Sequence, residues 1–128
     1  MRELPRSPKK KENLANQGLF KVKFTGIQNK ITFRCDVFLL EKIKNTLASQ
    51  HLAGNYDCPN LSYFFRSALS AYQNSMPLTY QREANNLKKE ISFRLTEELM
   101  TFYHSLPVRS KTAILERVLG SYYYRYLG

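Results

Sequence analysis

Six polar side chains in two short segments have the types and the spacing for recognition chemistry. In Lys30-Ile31-Thr32-Phe33-Arg34-Cys35-Asp36, the residues Lys30, Thr32 and Arg34 alternate with apolar ones; in Glu90-Ile91-Ser92-Phe93-Arg94-Leu95-Thr96, Glu90, Ser92 and Arg94 do the same. Period-two alternation puts each polar set on one face of a strand and the apolar sets, Ile31, Phe33, Cys35 and Ile91, Phe93, Leu95, on the other. The chemistry on offer is directional hydrogen bonding. Arg can bond guanine O6 and N7 together, Lys suits the same acceptors, Thr and Ser adapt to either kind of partner, and Glu accepts from cytosine N4. Glu90 is the odd member, an acid at the position where the first segment has Lys30. Its competing role is to pair with Lys89 or Lys30.

The other reactive residue types form no comparable set. Cys35, Cys58, His51 and His104 lack any CxxC or HxxxH spacing, so no metal site is expected, and neither cysteine sits in a nucleophile motif. Glu97-Glu98, the sole acidic pair, falls in the first turn of a predicted helix, where it complements the dipole. Five scattered glycines form no phosphate-cradling loop. The expectation is a protein that is not an enzyme, has no catalytic residues and needs no cofactor or small-molecule ligand. The run Tyr122-Tyr123-Tyr124-Arg125-Tyr126 reads differently: Tyr122 and Tyr126 share a core-facing helical side, leaving Tyr123 and Tyr124 as a candidate self-association surface.

The elements that must position the six residues repeat. The two strands match position by position at an offset of 60 residues, from Ile31 to Ile91, and each ends on a good helix cap, Asp36 or Thr96. Leu39, Leu40 and Ile43 then parallel Leu99, Met100 and Tyr103 at helical spacing. The first of these helices runs to about Leu52, before Gly54-Asn55; the second stops by Leu106, because Pro107 follows. The match resumes at an offset of 50, Ser62 to Thr112, so the first copy holds ten extra residues in its helix-loop region (60 − 50). Ser62 and Thr112 read as caps, followed by apolar faces of Phe64, Phe65, Ala68, Leu69, Tyr72 and of Ile114, Leu115, Val118, Leu119, Tyr122.

This divides the chain into a basic arm (1–29, with a candidate short strand at 20–24), a first unit (30–73), a polar linker (74–89) and a second unit (90–128). A six-residue strand with two short helices cannot bury its apolar faces alone. Two copies can, with the strands paired antiparallel as a ribbon over four helices. The fold class is therefore α+β and mostly helical.

Composition points to a polyanionic partner. The formal charge is +10 on 15.0 kDa, with a pI near 9.8. Half of that excess lies in residues 1–29, which hold seven basic and two acidic groups. Arg2, Arg6, Lys9, Lys10 and Lys11 read as non-specific phosphate contacts of the arm. The folded part must then bind through placed residues. No apolar run approaches the roughly 18 residues of a membrane span, and Met1–Leu14 has no signal-peptide core. The expected location is cytoplasmic and nucleoid-associated.

Segments 30–72 and 90–122 resemble the ribbon-helix-helix family, the fold of the methionine and Arc repressors. The resemblance implies a ribbon in the major groove of double-stranded DNA, with the alternate outward residues touching base edges. By position, the readers would be Lys30, Thr32, Arg34, Glu90, Ser92 and Arg94. It also implies that the start of each second helix clamps a phosphate, here near Ser62-Tyr63 and near Lys111-Thr112. Most relatives pair two identical chains, whereas both halves lie in this one, as in relaxosome accessory proteins of some conjugative plasmids. The leading expectation is a transcriptional regulator, a repressor that occludes a promoter. A plasmid transfer, partition or copy-control factor uses the same DNA chemistry. An antitoxin-like protein-binding module would be expected to carry a toxin-wrapping tail, which is not found before Gly128. A structural or RNA-binding basic protein is the remaining class.

Overall fold

The computed structural model describes residues 29–83 and 86–127. Strand β1 (Asn29–Asp36) leads into helix α1 (Val37–Leu52), and a loop leads to α2 (Leu61–Gln73). The second half repeats the order with β2 (Lys88–Leu95), α3 (Glu97–Ser105), a short 3-10 turn (Val108–Ser110) and α4 (Lys111–Tyr126). Over the described residues the architecture is α+β, mostly helical, with a two-stranded antiparallel sheet and four helices. The basic arm and the candidate strand at 20–24 lie outside the described residues. The linker read as 74–89 gives its last two residues to β2, which starts at Lys88.

Local chemistry explains the boundaries. Asp36 caps α1 by accepting from the amides of Phe38 (2.8 Å) and Leu39 (3.3 Å), and Thr96 caps α3 by accepting from Leu99 (3.1 Å). Helix α1 ends where Gly54 takes a positive φ of 87°, a conformation that costs glycine nothing. Helix α3 stops at Ser105, two residues ahead of Pro107.

The inward face of the ribbon carries the core. Ile31, Phe33, Cys35, Phe93 and Leu95 are buried and Ile91 is half-buried. Phe65 of α2 stacks on Phe93 with ring centroids 4.4 Å apart and meets Phe33 at 5.5 Å. Helices of one half pack on those of the other. Phe64 of α2 meets Tyr122 of α4 at 5.2 Å, and Tyr72 of α2 meets Phe102 of α3 at 5.7 Å. Thr46 of α1 bonds the Tyr123 hydroxyl at 2.9 Å. Neither half keeps its core to itself.

The linker is a strap rather than a spacer. Arg117 donates to the carbonyls of Leu78 (2.8 Å) and Tyr80 (3.2 Å), and Ser121 Oγ accepts from the amides of Thr79 (2.9 Å) and Tyr80 (3.0 Å). Between them, Gly120 leaves room for the Tyr80 ring, which any Cβ placed there would overlap.

Candidate nucleic-acid interface

The register of the ribbon sets the geometry of the six polar residues. Lys30 faces Arg94, Thr32 faces Ser92 and Arg34 faces Glu90, and all six are exposed on the side opposite the core. The ladder therefore centres on Thr32 and Ser92, the two residues related by the sequence offset of 60, whose hydroxyls bond each other at 2.8 Å. Arg34 reaches back toward the Lys88 carbonyl at 3.5 Å, a long contact that leaves its guanidinium adaptable. Arg66 of α2 donates to the Arg94 carbonyl at 3.1 Å and braces the strand from behind. Glu90 stands across from Arg34, not from Lys30, so the Lys30 pairing considered for it is excluded by the register.

The starts of the second helices differ from the sequence reading. Helix α2 begins at Leu61, one residue before Ser62, and its cap is Asn60, whose side chain accepts from the Tyr63 amide at 2.8 Å. Ser62 is therefore not the cap, and the Tyr63 amide is already engaged. Helical geometry leaves the amides of Leu61 and Ser62 ahead of the hydrogen-bond ladder. Helix α4 begins at Lys111, one residue before Thr112, with Ser110 in the cap position and no side-chain cap bond. Ser110 closes the preceding 3-10 turn by bonding the Pro107 carbonyl at 3.0 Å. Thr112 is exposed, while the Lys111 ammonium lies 4.4 Å from the Tyr103 ring centroid.

Beneath one end of the ribbon lies a buried polar cluster that sequence reasoning missed. Glu116 of α4 is fully buried and accepts from the Asp36 backbone amide at 2.6 Å. Its carboxylate also binds Lys88 Nζ at 2.9 and 3.1 Å and pairs with Arg82. Asp36 in turn accepts from the Asn86 side chain at 2.6 Å. Burial works to raise the Asp36 pKa, but the bonds from Asn86, Leu39 and Phe38 and the nearby Lys88 charge prevail and hold it below its ordinary value. The available signal was that Glu116 is the one acid in α4, with Arg82 and Lys88 upstream as bases to pair with it.

Both thiols are held as thiols. Burial, with the Glu116 and Asp36 charges adding to it, pushes Cys35 up to about 12, and burial pushes Cys58 up to about 12. The tyrosine run is also corrected. Tyr123 joins Tyr122 in the core, whereas Tyr124 and Tyr126 are exposed. Tyr124 is stacked on Tyr80 and bonded by Lys42 at 2.8 Å. Among the described residues, no helix is long and apolar enough to cross a membrane. Comparison with family models, with characterised proteins and with solved structures gave no match.

Proposed function

We propose that this chain is a sequence-specific DNA-binding protein whose two-stranded ribbon enters the major groove of a duplex. In this reading the chain is two ribbon-helix-helix units in tandem, forming a pseudo-dimer within one molecule. The observation that carries it is the register. It gathers Lys30, Thr32, Arg34, Glu90, Ser92 and Arg94 on one exposed face, centred on the Thr32–Ser92 pair, while the other face is sealed by Phe33, Phe65 and Phe93. A two-stranded ribbon has the width to enter a major groove, and donors and acceptors on alternate residues suit base edges. The net charge of +10 favours the polyanion. Phosphates flanking the groove would meet the amides of Leu61 and Ser62 at α2 and of Lys111 and Thr112 at α4. The natural role is a regulator that represses by occupying a promoter; a plasmid transfer or partition factor would use the same contacts.

Titration of selected and random duplexes tests this. Arg34→Ala or Arg94→Ala should cost about 1–3 kcal/mol on the selected duplex and little on random DNA. Equal losses on both would reduce the two arginines to phosphate contacts and overturn base reading.

A further inference from the structure

We infer that the ribbon is polar along its length, so that the protein reads a non-palindromic DNA site in one fixed orientation. The inference rests on the reading of the ribbon as a major-groove element and specifies what that element recognises. One end of the outward face presents Lys30 opposite Arg94, and the other presents Arg34 opposite Glu90. The first end holds donors alone and a charge of +2. The second holds a donor beside an acceptor, and its outward charges cancel.

What lies beneath the two ends repeats the difference. Arg66 bonds the carbonyl of Arg94, which adds a third cation to the all-donor end. Under the mixed end, Glu116 and Asp36 are set against Lys88 and Arg82, two acids and two bases. The middle is neutral, and the Thr32 and Ser92 hydroxyls spend one donor on each other. Discrimination between sequences therefore falls to the ends. Opposed residues of an antiparallel ladder lie about 4.5–5.5 Å apart, close enough to address the same or adjacent base pairs.

The chemistry then assigns a base class to each end. Lys30 and Arg94 can only donate, so they select guanine O6 and N7 on both sides of the ribbon. At the opposite end, Arg34 takes a guanine while Glu90 takes the N4 amino group of a cytosine. A carboxylate facing anything but a donor, so close to phosphates, is repelled. Glu90 thus acts as a rejecting element against the all-acceptor sequence that the other end prefers.

Selection of bound sites from random duplex DNA, with the whole chain and its Glu90→Gln and Lys30→Gln variants, tests the polarity. All substituted positions are exposed, and circular dichroism checks that the variants remain folded. Wild type should give a consensus without dyad symmetry. Glu90→Gln should relax one end alone, removing about a ten- to hundred-fold preference there, and Lys30→Gln should relax the other. A palindromic consensus, or two variants that alter the same end, would overturn the polarity while leaving DNA reading intact. A failure to select any sequence would overturn the DNA reading and the polarity with it.

Discussion

At the same place in their second helices, 50 residues apart, the first half of the molecule carries Arg66 and the second carries Glu116. Both side chains reach the backbone near the end of a strand. Arg66 donates to the Arg94 carbonyl, and Glu116 accepts from the Asp36 amide. The matched helices bring their contacts to neighbouring places, one peptide unit apart at the offset of 60, and the polarity differs because the backbone offers donors and acceptors alike. The surroundings have diverged accordingly. Arg66 is half-buried, whereas Glu116 has no exposed surface and gathers Lys88 and Arg82 from the strap and strand. Arg117, Gly120 and Ser121, which hold the strap, stand where the first half has Ser67, Ser70 and Ala71. The second half is thus the one built to anchor a connection.

The largest effect should come from removing the inverted contact. Glu116→Ala leaves Lys88 half-buried beside an unsatisfied Asp36 amide and should cost about 3–5 kcal/mol in urea denaturation. Arg66→Ala should cost about 1–2 kcal/mol, because water can reach the carbonyl it leaves. Adding Lys88→Met to Glu116→Ala should recover part of the loss. Equal costs at the two positions would mean that burial does not separate the halves.

A smaller effect tests the strap. Gly120→Ala forces the Tyr80 ring aside and should destabilise by about 1–3 kcal/mol, although alanine favours the helix. In a Tyr80→Ala background the same change should become neutral or stabilising. Ser70→Ala, at the matching place in α2, should move the denaturation midpoint little. An unchanged midpoint for Gly120→Ala would show that the strap is loosely held.

The smallest difference lies in the first-helix caps. Asp36→Ala should cost about 2 kcal/mol and Thr96→Ala about 1 kcal/mol. Only the first should depend on pH. The folded protein holds the Asp36 carboxyl below its ordinary 3.8, so its contribution is present above that value and is lost as pH falls toward the folded pKa. The gap between wild type and Asp36→Ala should therefore narrow below about pH 4 while the Thr96→Ala gap stays constant. Parallel pH profiles would place the Asp36 contribution in packing rather than charge.

Periodicity made the scaffold legible. Alternation located both strands, the offset of 60 paired them as copies, and Pro107 and Gly54 marked helix ends. The six outward residues followed from parity alone, because side chains on a strand can point only two ways. What parity cannot supply is register, which sets Glu90 across from Arg34 rather than Lys30. The caps of α2 and α4 were misplaced because Asn60 and Ser110 compete with equally good neighbours, Ser62 and Thr112. Glu116 and Tyr123 were hidden for a different reason. Helix α4 is enclosed on most sides, by the ribbon, α1, α2 and the strap, so no single apolar stripe describes its buried residues.

Because β1 and β2 belong to one chain, the ribbon closes without a search for a second molecule. A tethered partner strand is present at an effective concentration of about millimolar, whatever the protein's abundance. Two separate chains at about nanomolar concentration would meet roughly a million-fold less often than that, and a weakly associating pair would fall apart. Here dilution leaves the folded unit whole. A cell holding only a few copies would still hold them as complete ribbons, so abundance need not meet the demands of assembly.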